Sequence, residues 1–150
     1  MADASIVIEI ADAVTAALNA ATLSQPFTAV RHYLPEFDLK EMETLHVSVV
    51  PAELDEEIAD RTRDRAEYKI HIAVQKRVAK QDPPGLDTAA IDALMQLVEE
   101  IDDLFRHKRL AGYEQAHWAK TENKPIYDPK HLKEHGQFTS LLVFTFRVIR

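Results

Sequence analysis

The sequence predicts an α+β domain in which a mostly antiparallel sheet of about four strands carries two helices on one face. Two segments, residues 5–20 and 87–110, repeat apolar residues at helical spacing. The last fourteen residues, 137–150, form a strand whose two faces are both largely apolar. Three other segments alternate at period two or end at a proline, as strands do: residues 27–34, 45–50 and 67–78.

Each predicted helix has one stripe of apolar side chains. Asp3 is the expected N-cap of the first helix, and Asp87 is the expected N-cap of the second. The basic residues 106–109 fall in the last turn of the second helix, which Gly112 is placed to end. We expect the two stripes to pack on the same face of the sheet, through Ile6, Ile10, Val14, Ile91, Val98 and Ile101.

The terminal strand indicates an assembly of several copies. Its even positions include Phe138, Phe144 and Phe146, so we expect this side to face the helices. Its odd positions include Leu141 and Val143, whereas a strand wet on one side would alternate apolar with polar residues. Because both predicted helices are used on the first side, long loops or a second copy of the protein must cover the other.

The composition restricts the classes of function. A chain of 150 residues has the size of one domain, so residues 1–150 are treated as a single unit. The net charge of −7 argues against a protein that grips nucleic acid through clustered Lys and Arg. The lack of cysteine excludes disulfides and Cys-based zinc sites, and three glycines can hardly form a phosphate-binding loop. We expect no signal peptide and no membrane-spanning segment.

Two polar clusters have the spacing of functional sites, but simpler explanations fit them better. His131 and His135 stand four residues apart, as in a helical metal pair, but their segment is barely one turn long. Charge runs on helices are usually solvated faces. We interpret the carboxylates of the second helix in this way: Glu99, Glu100, Asp102 and Asp103. The sequence therefore predicts no catalytic residues, no metal and no cofactor.

Residues 52–65 form a predicted charged loop in which acids come first and arginines last. In a ring, the acids of one subunit can meet the arginines of the next. The alternative is an exposed mobile loop whose charges only solubilise it. In the long segment 113–136, residues 115–120 are a candidate strand. Trp118, within them, is expected to anchor that segment on the core or in a subunit contact. The residues assigned to a subunit interface are Asp55, Glu56, Arg61, Arg63, Arg65 and Trp118.

Three local patterns accompany the order helix, strand, strand, charged loop, strand, helix, long loop, strand. They are a proline-closed strand at 45–51 (LHVSVVP), an arginine-rich loop leading into 68–77 (YKIHIAVQKR), and an Asp87-capped helix followed eventually by a chain-ending strand at 146–150 (FRVIR). With this layout, nearly the whole chain resembles the tail terminator (tail completion) and tail-to-head joining proteins of long-tailed bacteriophages.

The resemblance implies that six copies form a ring that caps the tail tube and ends its polymerisation. The partners are then the tail tube protein and the head-side connector or stopper protein. DNA passes through the lumen without specific binding, which suits an acidic protein because it repels phosphate. The resemblance also implies a virion protein of the tail or neck that is assembled in the host bacterial cytoplasm, with neither enzymatic activity nor membrane contact.

Two alternatives remain open at this point. The nearer one is another phage component, either a head-completion (stopper) protein or a tail tube subunit. Tube subunits usually need a long hairpin arm, for which only the region around residues 52–64 is available. The alternative of another class is a small cytoplasmic enzyme or ligand-binding domain with its site in the segment 113–136.

Overall fold

The structure is a computed structural model that describes residues 5–33, 43–81 and 84–150. Within these residues the chain forms three helices and eight strands. In chain order they are α1 (Ile6–Ala20), β1 (Ala29–Arg31), β2 (His46–Ile58), β3 (Asp64–Arg77), β4 (Ala79–Gln81), β5 (Pro84–Leu86), α2 (Thr88–Phe105), β6 (Arg109–Leu110), β7 (Tyr113–Asn123), α3 (Pro129–His135) and β8 (Gln137–Ile149).

The main sheet has six strands in the order β1-β2-β3-β8-β7-β6, and β4 pairs with β5 in a separate ribbon. Only the short β1–β2 pair is parallel among these neighbours. The predicted class of a mostly antiparallel α+β domain is confirmed. The predicted numbers of about four strands and two helices are wrong, because β6, β7 and α3 lie in polar sequence without an apolar periodicity.

The core lies on the face of the sheet formed by even positions of β3 and β8, as predicted. Ile70 pairs with Phe144 and Ile72 with Leu142, and these four side chains are buried. The two long helices contribute the other side of this core through Ile10, Val14, Leu94, Val98 and Ile101. The ring of Phe105 meets that of Phe144 edge-on at 5.3 Å, so the end of α2 is fixed against the terminal strand.

The ends of the helices follow the prediction in part. Asp87 caps α2 by accepting a hydrogen bond from the backbone N–H of Ala90 at 3.1 Å, as predicted. Ser5 stands at the N-cap position of α1 without a side-chain cap, and the predicted cap Asp3 lies outside the described residues. The predicted end of α2 is wrong: the helix stops at Phe105, and His107 has a φ of 62° that no α-helix continues through.

The early stop of α2 changes the position of the basic residues after it. Arg109 belongs to β6 and not to the last turn of a helix. Gly112, predicted to end the helix, has a φ of 89° and lies between β6 and β7, where glycine adopts this conformation without strain. The cationic side chains therefore lie at the edge of the sheet.

Residues 52–65 do not form the predicted loop. They continue β2 and β3 into a long hairpin, in which Glu57 pairs with Arg65 and Ile58 with Asp64. Pro51 does not end β2. The register of the β2–β3 pair shifts between Pro51 and Glu53, and proline is tolerated at such a bulge in an edge strand. Acidic side chains at successive positions, Asp55 to Glu57, hid this strand from the sequence.

Candidate subunit interface

The sheet face opposite the core, called the second face here, consists of the odd positions of β3 and β8 and their cross-strand partners. Residues paired directly across strands project on the same side. One row on this face crosses five strands: Asp55, Glu67, Arg147, His117 and Arg109. The neighbouring row crosses four strands: Glu53, Lys69, Thr145 and Lys120. Both rows begin with an acid on β2 and end with a cation at the opposite edge.

Ion pairs within the chain connect neighbouring members of these rows. Arg147 donates to Glu67 Oε1 from Nε at 3.2 Å and from Nη2 at 2.8 Å. Lys69 Nζ lies 3.4 Å from Glu53 Oε2. Partly exposed pairs of this kind contribute little to stability, about 0–1 kcal/mol each. Their effect here is to orient charges along the rows.

The apolar members of the second face are half-buried. Leu141 and Val143, which the sequence predicted to be covered, are only partly buried among the described residues. His71 pairs with Val143, and its burial lowers the pKa of the imidazole. The small residues Ser48, Ala73 and Thr145 are buried between larger neighbours. The expected need for cover on both sides of the terminal strand is thus met fully on the core side and partly on the second face.

Two of the three arginines in the hairpin form ion pairs with acids of the same hairpin. Arg63 Nη2 lies 2.7 Å from Asp60 Oδ2, and Arg65 pairs with Glu57. A backbone N–H from Thr62, followed by the Arg63 side chain, lowers the pKa of Asp60 to about 2. Acids and arginines therefore pair inside one hairpin, whereas the sequence predicted pairing between neighbouring subunits. Whether the hairpin also meets a neighbouring subunit stays a prediction.

The charges left over on the hairpin are mostly acidic. Glu56 lies 3.5 Å from Arg150 at the chain end. Asp55 and Arg61 form no ion pair within 4.0 Å in the part of the chain that the structure describes. Residues 52–65 contain six carboxylates and three arginines, which leaves a net charge of −3.

The outer edge of β2 is unpaired over much of its length. β1 pairs only with Val47, Ser48 and Val49, and no strand of the described residues pairs with the outer side of residues 52–58. Leu54 and Ile58 on this edge are 51% and 79% exposed. A groove of about 790 Å³ lies beside it, between the start of α1 and β2, and includes Ile6, Tyr33, Leu54 and Tyr68 in its lining. Unpaired backbone and apolar side chains together form a surface that another chain can cover.

The opposite edge of the sheet is also partly unpaired, and it is basic. β6 pairs with β7 from Tyr113 to His117, and Trp118 N donates to the carbonyl of Lys108 at 3.0 Å. Beyond this point the register shifts, and residues 120–123 pair with β8 alone among the described strands. Residues 106–124 contain five Lys or Arg and two Glu, which gives a net charge of +3 in a chain of −7. The two edges therefore carry opposite charge.

Trp118, the predicted interface aromatic, is fixed within its own chain. Its Nε1 donates to Thr121 Oγ1 at 2.8 Å, and its ring centroid lies 4.8 Å from that of His107. The side chain is half-buried and packs against the core. It lies near the basic edge, while the other five predicted interface residues lie on the hairpin at the acidic edge. The structure does not bring the six residues together in one subunit.

Several members of the polar clusters that suggested other chemistry make contacts within the fold. His131 Nδ1 lies 3.0 Å from Thr139 Oγ1, and the ring of His135 is 6.1 Å away from that of His131. Glu100 accepts a hydrogen bond from Ser24 N at 2.9 Å, and Asp103 pairs with Arg106 at 2.8 Å. Over residues 5–33, 43–81 and 84–150, no three His, Asp or Glu side chains are grouped as a metal site requires.

No helix in the described part of the chain is both long and apolar enough to cross a bilayer. No family model matches the sequence. No curated protein matches it either.

The fold, by contrast, recurs in solved structures. A chain from the virion of a native gene transfer agent (GTA) particle matches with a TM-score of 0.54 and 13% identity, over 97% of this chain and 96% of that one. A sheath/tube terminator of the extracellular contractile injection system PVC, in its extended state, has a TM-score of 0.47 and 17% identity. That match covers 99% of this chain and 58% of the terminator. The resemblance to phage tail-completion proteins, drawn from the layout of the sequence, is confirmed at the level of the fold.

Proposed function

We propose that the protein is a structural component of a phage tail, without enzymatic activity, whose copies form a ring that ends the tail tube. The observation that carries this proposal is the opposite charge of the two sheet edges. A surface with complementary ends suits a head-to-tail contact between identical subunits, and such contacts close into rings when the rotation permits. The shared fold with a virion chain supports the same class of function.

The ring we propose has six copies and sits between tail and head. One side of it matches the end of the tail tube and stops further addition, and the other side binds the connector or stopper protein. The hairpin residues Asp55, Glu56, Arg61, Arg63 and Arg65, together with Trp118, lie at the subunit boundary. The net charge of −7 keeps DNA moving through the lumen, because it repels phosphate.

A tail tube subunit is the second candidate, and one specific observation favours it. The hairpin that such a subunit needs for stacking is present, since β2 and β3 extend as a paired arm through residues 52–65. A stopper protein of the neck remains a third possibility within the same class. No arrangement of described residues favours the small-enzyme alternative in the segment 113–136, which forms β7 and α3.

The lengths of tails made without the gene distinguish these functions. A terminator caps an open-ended polymer, so its loss yields tails longer than normal that carry no heads. Tails of normal length that fail to join heads would assign the protein to joining or to the stopper. Loss of tubes altogether would assign it to the tube. Normal, infectious particles would remove it from the tail.

A further inference from the structure

We infer that neighbouring copies join edge to edge, with residues 52–58 of β2 in one copy lying beside residues 119–123 of β7 in the next. The inference rests on the proposed ring and names the surfaces that form it. Each copy then offers one acidic edge and one basic edge. The contact differs from the predicted exchange between acids and arginines of the hairpins, because Arg63 and Arg65 are already paired within the chain.

The backbone geometry supports this pairing. Both segments have one side hydrogen-bonded within the sheet and the other side unpaired among the described strands. β2 and β7 run in opposite directions, since three antiparallel steps through β3 and β8 separate them. A rotation about an axis along the strands preserves their directions. It therefore places β2 of one copy antiparallel to β7 of the next, where both can complete their hydrogen bonds.

The short strand β6 sets the register. It occupies the edge of β7 up to Trp118, so an incoming β2 lies beside the part of β7 beyond that residue. In this position Asp60, at the tip of the hairpin, reaches two cations: Arg109 of β6 and Lys108 in the turn before it. The offset between successive copies tilts the strands relative to the ring axis, as closure of a sheet requires.

The charges match across the proposed contact. The hairpin segment 52–65 carries −3 and the segment 106–124 carries +3, so each junction is close to neutral. Lys120 and Lys124 lie 3.2 Å from Glu122, and the two ammonium groups lower the pKa of that carboxyl. These exposed pairs leave both lysines accessible to a further carboxylate. Apolar side chains add to the contact from each side, Leu54 and Ile58 at one edge and Ile126 after β7 at the other.

Charge reversal at each edge tests the inference. The first variant, Asp55→Lys with Glu57→Lys, makes both edges basic. The second variant, Lys108→Glu with Lys120→Glu, makes both edges acidic. For each variant alone, the assembled fraction measured by native mass spectrometry is expected to fall at least tenfold, because like charges meet at every junction. An equimolar mixture is expected to restore rings in which the two variants alternate, in even numbers only.

A control with the same charge change as the first variant excludes a general effect of net charge on that variant. Asp92→Lys with Glu99→Lys lies on the exposed side of α2, and it should assemble as the wild type does. Circular dichroism verifies that each variant is folded. Rings formed by either edge variant alone, or a mixture that stays dissociated, would overturn the inference while leaving a wild-type ring, and the proposed function, in place. A wild type that never assembles would overturn both.

Discussion

Asp55 and Arg109 stand at opposite ends of a single cross-strand row that passes through Glu67, Arg147 and His117. The acid lies on the exposed edge strand β2, and the guanidinium lies on the last strand of the sheet. Inside the row, Arg147 and Glu67 form a hydrogen-bonded ion pair with a shortest distance of 2.8 Å. The sheet is therefore acidic at one edge and basic at the other. A head-to-tail contact brings these two edges together, whereas a symmetric two-fold contact would pair each edge with its like.

Replacement of Ile101 by Ala tests the core. Ile101 is fully buried in the cluster between α2 and the sheet. Its truncation removes buried methyl groups and leaves a cavity, so we expect a loss of ~2–5 kcal/mol in the free energy of unfolding. Urea unfolding measures it, with the exposed Ile126→Ala as the matched control. A cost under ~1 kcal/mol would show that Ile101 is not a core residue.

The N-cap of α2 gives a second prediction. Asp87→Ala removes the acceptor for the backbone N–H of Ala90, and such a loss costs ~1 kcal/mol. Ser5→Ala, at the N-cap position of α1, should cost less because the Ser5 side chain makes no cap hydrogen bond. Thermal or urea unfolding of the two variants gives the comparison. Equal costs would mean that the observed cap does not stabilise α2.

Trp118→Ala should impair joining of tail and head more than folding. The indole lies near the basic edge, and large aromatic side chains dominate the energetics of interfaces. Thr121→Val is the comparison variant, because it removes the hydrogen bond to Nε1, worth ~1 kcal/mol, and keeps the indole. Assembly in an extract that lacks the protein, alongside an unfolding curve, separates the two effects. If both variants assembled normally, Trp118 would serve its own fold only.

Asp60 predicts a pH dependence of the hairpin. Its pKa is lowered from 3.8 to about 2 in the folded chain, first by the backbone N–H of Thr62 and then by the Arg63 side chain. The resulting contribution to stability is present above the ordinary pKa and is lost as the pH falls through about 2. An NMR titration should place the carboxyl midpoint there. Asp60→Asn should abolish the pH dependence, and a midpoint near 3.8 in the wild type would refute the hydrogen-bonded turn.

The sequence revealed the parts of the fold that follow from apolar periodicity. Ile10, Val98 and Phe144 repeat at the spacing of a helix or strand and lie in the core as predicted. The hairpin at 52–65 was missed because acids occupy successive positions in β2, and its pairing becomes visible only through the partner strand. Strand β7 was only partly recognised for a similar reason, since its charged side chains alternate with small or aromatic ones.

Of the two edges of the sheet, only the acidic one could be predicted from the sequence as a contact surface. Charge segregation in the hairpin pointed to a contact surface, and the hairpin does lie at the edge of the sheet. The basic partner edge was hidden, because residues 106–109 read as the last turn of a helix. The positive φ of His107 prevents the helix from continuing through these residues, and no sequence pattern indicates it. The complementary pair of edges therefore emerged only from the strand order.

The most direct test of the account is the mass of the wild-type assembly. Each chain has a mass of 17.0 kDa, so a ring of six gives about 102 kDa. Native mass spectrometry of concentrated protein, with negative-stain images of the same sample, should show this mass and a closed ring with a central hole. A mass of one chain at every concentration, or filaments without a defined length, would contradict the claim that this protein closes into a ring that ends a tail.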